Sequence, residues 1–155
     1  MKPILPLLLF ILCASTSAHA ADTPSVEYHA AAGDGERQLP FSDAVRVGNL
    51  LFLSGKIGNK PGTLELAAGG IQGETKQTLE NIKASLERLG SSMQEVVKCT
   101  VFLADISEWA AMNEVYVQYF PKNPPARSAL GASGLALNAR TEIECIATVG
   151  LSAED

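Results

Sequence analysis

The sequence predicts a single α+β domain in which two helices pack on one face of a β-sheet. Three observations carry this. Ile71, Thr75, Leu79, Ile82, Leu86 and Leu89 recur at helical spacing, and so do Trp109, Met112, Tyr116 and Tyr119. Between and around these stretches lie short runs rich in β-branched and large apolar residues, such as Val96–Leu103. The resulting order is strand, strand, helix, strand, helix, strand, strand, with no internal repeat and no linker.

Taken from the N-terminus, the elements follow from local chemistry. Met1-Lys2, the apolar run Ile4–Ala14 and the small-x-small triplet Ala18-His19-Ala20 read as a secretory signal peptide, residues 1–20, cleaved after Ala20. The apolar run is shorter than the roughly 20 residues that a membrane helix needs, so an exported chain without an anchor is expected. Residues 21–39 form a polar leader with one short strand near Val26–Ala31, and the folded domain occupies 40–155. Ala44–Val47 and Leu50–Leu53 flank Gly48-Asn49, a two-residue hairpin turn. Lys56 to Gly70 reads as a loop.

The first helix runs from Ile71 to Leu89 and stops at Gly90. Val96–Leu103 reads as a buried strand. Ser107 is placed to cap the second helix, which Pro121 ends. Two further strands, Ala126–Ser133 and Thr141–Gly150, are joined by a turn near Asn138. Val101, Cys145 and Ala147 alternate with Thr100, Ile146 and Thr148, so the second set lies on the face away from the helices. That mixed face needs a cover, and self-association is the expectation.

Composition narrows the chemistry. Loss of residues 1–20 removes one lysine and no acid, which moves the net charge from −5 to −6. An acidic chain is poorly suited to nucleic acid or to an anionic membrane surface. Only His29 remains as a histidine and there is no Cys-x-x-Cys, so neither a histidine-based triad nor a metal site has the ligands it needs. The reading therefore includes no metal and no cofactor. Chemistry must rest on arginine, carboxylates, hydroxyls and water.

Arg127 stands between Pro124-Pro125 and an apolar run with no acid before Glu142. Its planar, permanently charged guanidinium suits bidentate capture of a carboxylate, although an isolated arginine at a strand entry is usually a surface residue. Glu142 and Glu144 share one strand face, where two acids require solvent, a charge partner or a catalytic role. Gly69–Gly73 opens the first helix but matches no phosphate-binding pattern. Asn113 reads by default as a solvated amide on the second helix.

Six motifs then occur in order: LLFLSG (Leu50–Gly55), ETKQTLENIKASL (Glu74–Leu86), VVKCTVFLAD (Val96–Asp105), AMNEVY (Ala111–Tyr116), PARS (Pro125–Ser128) and EIECIA (Glu142–Ala147). Together they make the chain resemble the RidA/YjgF family of enamine/imine deaminases from about Pro40 to Val149. The resemblance implies a chorismate-mutase-like fold, with a mixed sheet and two helices on one face, assembled as a homotrimer with clefts between subunits. It implies that Arg127 binds the substrate carboxylate and that Glu142 positions the hydrolytic water. It further implies that Asn113 and Gly55 line the pocket, together with Phe41, where relatives carry tyrosine, and Ala129, where they often carry cysteine.

The expected activity is hydrolysis of small 2-imino acids to 2-keto acids and ammonia. A non-catalytic periplasmic carboxylate-binding protein and a chaperone-like protein on the same fold are the alternatives. The resemblance also implies that the strands holding Cys99 and Cys145 are antiparallel neighbours. Their register stays open at this point, and two buried free thiols without a catalytic role are expected.

Overall fold

The computed structural model describes residues 24–31 and 39–150. The expected signal peptide, residues 1–20, and residues 21–23 and 32–38 of the expected leader lie outside the described residues. Seven strands form one sheet: β1 (Val26–Ala30), β2 (Ser42–Val47), β3 (Leu50–Leu53), β4 (Lys56–Ile57), β5 (Val96–Leu103), β6 (Ala126–Gly131) and β7 (Thr141–Thr148). The path across it is β1-β2-β3-β7-β5-β6, with β4 paired to β7 beyond the end of β3. All neighbours are antiparallel except β5 and β6, which run parallel. The parallel pair is joined through the second helix, as a crossover requires.

Helices α1 (Gly70–Arg88) and α2 (Trp109–Tyr119) supply the second layer. The face of α1 predicted from periodicity is the one that is buried, through Ile71, Leu79, Ile82 and Leu86. These residues pack with Leu51 and Leu53 of β3, Val101 and Leu103 of β5, Ile143 and Ala147 of β7, and Met112 and Tyr116 of α2. Gly90, at φ +79°, ends α1. Ser91 N–H then bonds back to the Leu86 carbonyl at 2.9 Å, a closure that favours glycine at the left-handed position.

Four details differ from the sequence reading. The loop expected from Lys56 contains β4, a strand of two residues and too short to show any period. The turn before α2 is capped by Asp105, whose Oδ1 accepts from Ser107 N–H at 2.9 Å, rather than by the Ser107 hydroxyl. The last two strands end earlier than predicted, at Gly131 and Thr148.

The fourth difference concerns the cysteines. Cys99 and Cys145 are joined in a disulfide, not left as free thiols. Both are buried as expected, but the β5–β7 register sets Cys99 directly opposite Cys145, with Cα atoms 4.1 Å apart. At such a spacing two side chains on one face meet, and register was the quantity the local pattern left open.

The sheet face away from the helices is uncovered in the single chain. Phe52 and Leu50 are each 41% exposed there. A shallow cleft of about 150 Å³ on this face is lined by Phe52, Lys98, Thr100, Glu144 and Ile146.

Candidate active site

Arg127 sits on β6, the edge strand, in register with Cys99 of β5. Residues in register project to the same face. Since Cys99 belongs to the core under the helices, Arg127 points toward α2. There its Nη1 donates to Asn113 Oδ1 at 2.7 Å. The guanidinium carbon lies 4.6 Å from the Tyr116 ring centroid and 5.8 Å from that of Trp109.

These contacts arise from helical spacing: Trp109, Asn113 and Tyr116 follow one another at four and three residues and so share one side of α2. An amide acceptor and two aromatic rings hold the guanidinium plane, and at least one edge of the fork stays unused. The Tyr116 hydroxyl is buried without a hydrogen-bond partner. Burial pushes its pKa up to about 12, against the opposing pull of the Arg127 charge. Ala129, two residues further along β6 and opposite Val101, packs against the core on the same face.

Glu142 lies elsewhere. It is the second residue of β7, paired with Ile57 on one side and Phe102 on the other. Phe102 is three residues from Cys99, an odd step, so Glu142 and Arg127 of one chain project from opposite faces of the sheet. The Glu142 carboxylate lies directly over Gly55, where an added Cβ would overlap it. Desolvation raises the Glu142 pKa above the ordinary glutamate range, and the Glu144 charge adds to the rise.

Ser54, next to Gly55, donates through Oγ to the Ser42 carbonyl at 2.6 Å and through its N–H to the Asp43 carbonyl at 3.0 Å. This ties the end of β3 to the start of β2, beside Phe41, which is 54% exposed. The six predicted site residues therefore fall into two groups. Arg127, Asn113 and Ala129 lie together under α2. Gly55 and Glu142 are in contact on the other face, with Phe41 on the segment tied to them through Ser42.

Three residues near these groups were not singled out from the sequence. In the sequence Trp109 and Tyr116 are only apolar helix positions, and their spacing to Asn113 is the available signal. Asp43 is buried and binds Lys56 and Arg88, and it also accepts from Ser85 Oγ at 3.0 Å. It pins β4 and α1 to the start of β2, and nothing in its neighbours' sequence marks it. Among the described residues, no three His, Cys, Asp or Glu side chains converge in a way that could hold a metal ion. No helix of the described residues is long and apolar enough to cross a membrane.

Comparison with known proteins covers most of this architecture. A family model described as Endoribonuclease L-PSP matches residues 36–149. A RutC family protein of Pyrococcus horikoshii is 47% identical over 108 residues, 70% of this chain and 86% of that protein. The human 2-iminobutanoate/2-iminopropanoate deaminase is 42% identical over 111 residues, 72% of this chain and 81% of that one. Among solved structures, RidA from an Antarctic Psychrobacter is 38% identical with a TM-score of 0.69, covering 79% of this chain and 94% of that one. Yeast Mmf1 is 31% identical with a TM-score of 0.74, covering 81% and 99%. The sheet with two helices on one face is thus the fold of these proteins, and the chain belongs to the Endoribonuclease L-PSP family, the RidA/YjgF group that includes imine deaminases.

Proposed function

We propose that the protein hydrolyses small 2-imino acids to 2-keto acids and ammonia, as a homotrimer whose sites are each shared by two subunits. The observation that carries this is the division of the predicted residues into two groups on opposite sheet faces. Neither group is a site alone, and Arg127 sits on an edge strand where another copy can approach. In the assembled cleft, Arg127 of one subunit grips the substrate carboxylate and Glu142 of its neighbour holds the water.

The chemistry follows from these two groups. The bound water adds to the C=N carbon while Glu142 takes one of its protons and passes it to the nitrogen, giving a neutral carbinolamine. Glu142 then takes the hydroxyl proton and delivers it to the amino nitrogen; the C–N bond breaks, ammonia leaves, and the C=O bond of the keto acid forms. A carboxyl with a raised pKa suits both transfers. Imines hydrolyse in water unaided, so orientation and proton transfer supply most of what is needed. Phe41 offers no hydroxyl at this cleft, which leaves water placement to Glu142.

The deaminase names among the relatives support this reading. The endoribonuclease description of the family model finds less support in this chain, whose net charge is −5. Export as a signal-peptide-bearing precursor belongs to the same proposal, and the Cys99–Cys145 disulfide suits an oxidising compartment. Intact mass of periplasmic material starting at Ala21 supports export, and full-length chain in the cytosol overturns it.

The central test generates 2-iminopropanoate from alanine with an amino-acid oxidase and follows its loss. Turnover above the spontaneous rate is expected, and a rate equal to buffer overturns the enzymatic reading. Subunit sharing has its own test: mix Arg127→Ala and Glu142→Gln chains after unfolding and refolding together. Random trimers should recover about a quarter of wild-type activity, the share of interfaces that pair an intact arginine with an intact glutamate. No recovery overturns the shared site.

A further inference from the structure

The space beside Arg127 is not neutral ground. A cleft of about 360 Å³ opens next to its guanidinium. Among the described residues, Arg127 is the only charged one lining it, and Asn113, whose Oδ1 is already engaged by Arg127, is the only amide. The rest of the wall is Val117 and Phe120 from the end of α2, Pro124 and Pro125 from the connection to β6, and the Tyr116 ring.

This wall is built in place. Phe120 is only 7% exposed and Tyr116 only 4%, so both are held by the core. The two prolines have restricted φ and sit immediately before β6, so the cleft is formed without closure of a long loop. Val117, 58% exposed, is the apolar residue at its outer rim.

We propose that this cleft receives the side chain of the substrate and selects 2-imino acids with bulky apolar side chains. The inference rests on the reading of Arg127 as the carboxylate anchor and deepens it. A carboxylate on the free edge of the guanidinium leaves the adjoining carbon beside the cleft, and the group on that carbon enters it. An aliphatic branch buries apolar surface against Val117, Phe120 and the prolines. A second carboxylate would compete with the first for Arg127. A cationic side chain would sit against the Arg127 charge, and no acid of the same chain lines the cleft to offset it.

The test uses two stable product analogues, pyruvate and 4-methyl-2-oxopentanoate, titrated by calorimetry into the full mature protein. The wild type should bind the branched acid about tenfold more tightly, since the three extra carbons are only partly enclosed in an open cleft. In Val117→Gln, a rim change suited to an exposed helix position, the ratio of the two affinities should fall toward one. The imines made from leucine and from alanine should show the same ordering in kcat/KM. Equal affinity for both acids in the wild type, or an unchanged ratio in Val117→Gln, overturns the assignment of the cleft while leaving Arg127 as an anchor. Failure to bind either acid overturns the anchor and the cleft together. A clear preference in binding without imine turnover overturns the hydrolase reading and leaves the cleft assignment standing.

Discussion

Replacing both Cys99 and Cys145 by alanine removes the one covalent link between β5 and β7. The bond closes a loop across a sequence separation of 46 residues. Loop-closure entropy for that length is about 4 kcal/mol at 25 °C, from a fixed term plus 1.5R ln n. That is a large part of the 5–15 kcal/mol by which domains of roughly this size are stable. The two sulfurs are also core atoms, with Cys99 fully buried and Cys145 2% exposed, so the alanines leave a small void in addition. A melting temperature lower by on the order of 10–20 °C is expected by circular dichroism. Protein expressed from Ala21 in an oxidising compartment should show no reactive thiol in denaturant without reductant. Two reactive thiols per chain, or a double variant that melts within about 2 °C of wild type, would refute the reasoning.

Arg127→Ala should lower kcat/KM about a hundredfold or more by removing a charge-assisted bidentate contact, and Arg127→Lys should recover little of it because an ammonium cannot reproduce the planar fork. Both variants should remain folded, as judged by size-exclusion chromatography, and wild-type-like turnover in either removes Arg127 from the mechanism. Gly55→Ala should displace the Glu142 carboxylate, the flexible end of a side chain, and so cost turnover on the order of a hundredfold with little change in melting temperature. A fully active Gly55→Ala enzyme would show that this contact is incidental.

Glu142 also predicts a pH effect of defined sign. Its folded pKa is raised, so between the ordinary glutamate value and the raised one the native state holds more protons than the unfolded state, and stability falls as pH rises. Glu142→Gln lacks this fall. Its melting temperature relative to wild type should therefore increase from acid to neutral pH, and a constant difference would contradict the raised pKa. In turnover, the wild-type acid limb should lie above the usual glutamate range and disappear in the glutamine variant.

What the chain determined locally and what assembly decided divide along one physical line. The buried face of α1, the span of β5 and the stop at Gly90 all follow from periodicity and backbone preference, which act over a few residues, and the structure has all three. The Asp105 cap was within local reach too, yet Ser107 was the more prominent candidate. β4 left no pattern, because two residues cannot display a period; its pairing with β7 exists only once both strands are in place.

Register is the quantity that local signals did not reach. It set Cys99 opposite Cys145 and turned two expected thiols into a disulfide. It also set Arg127 opposite Cys99 and Glu142 opposite Phe102, and thereby sent the two predicted catalytic side chains to opposite faces of the sheet. The residue types suited to the chemistry were legible in the sequence, because charge and planarity belong to the side chain itself. Which of them meet within one chain was decided by strand order and by the pleat, where a shift of one residue moves every side chain to the other face.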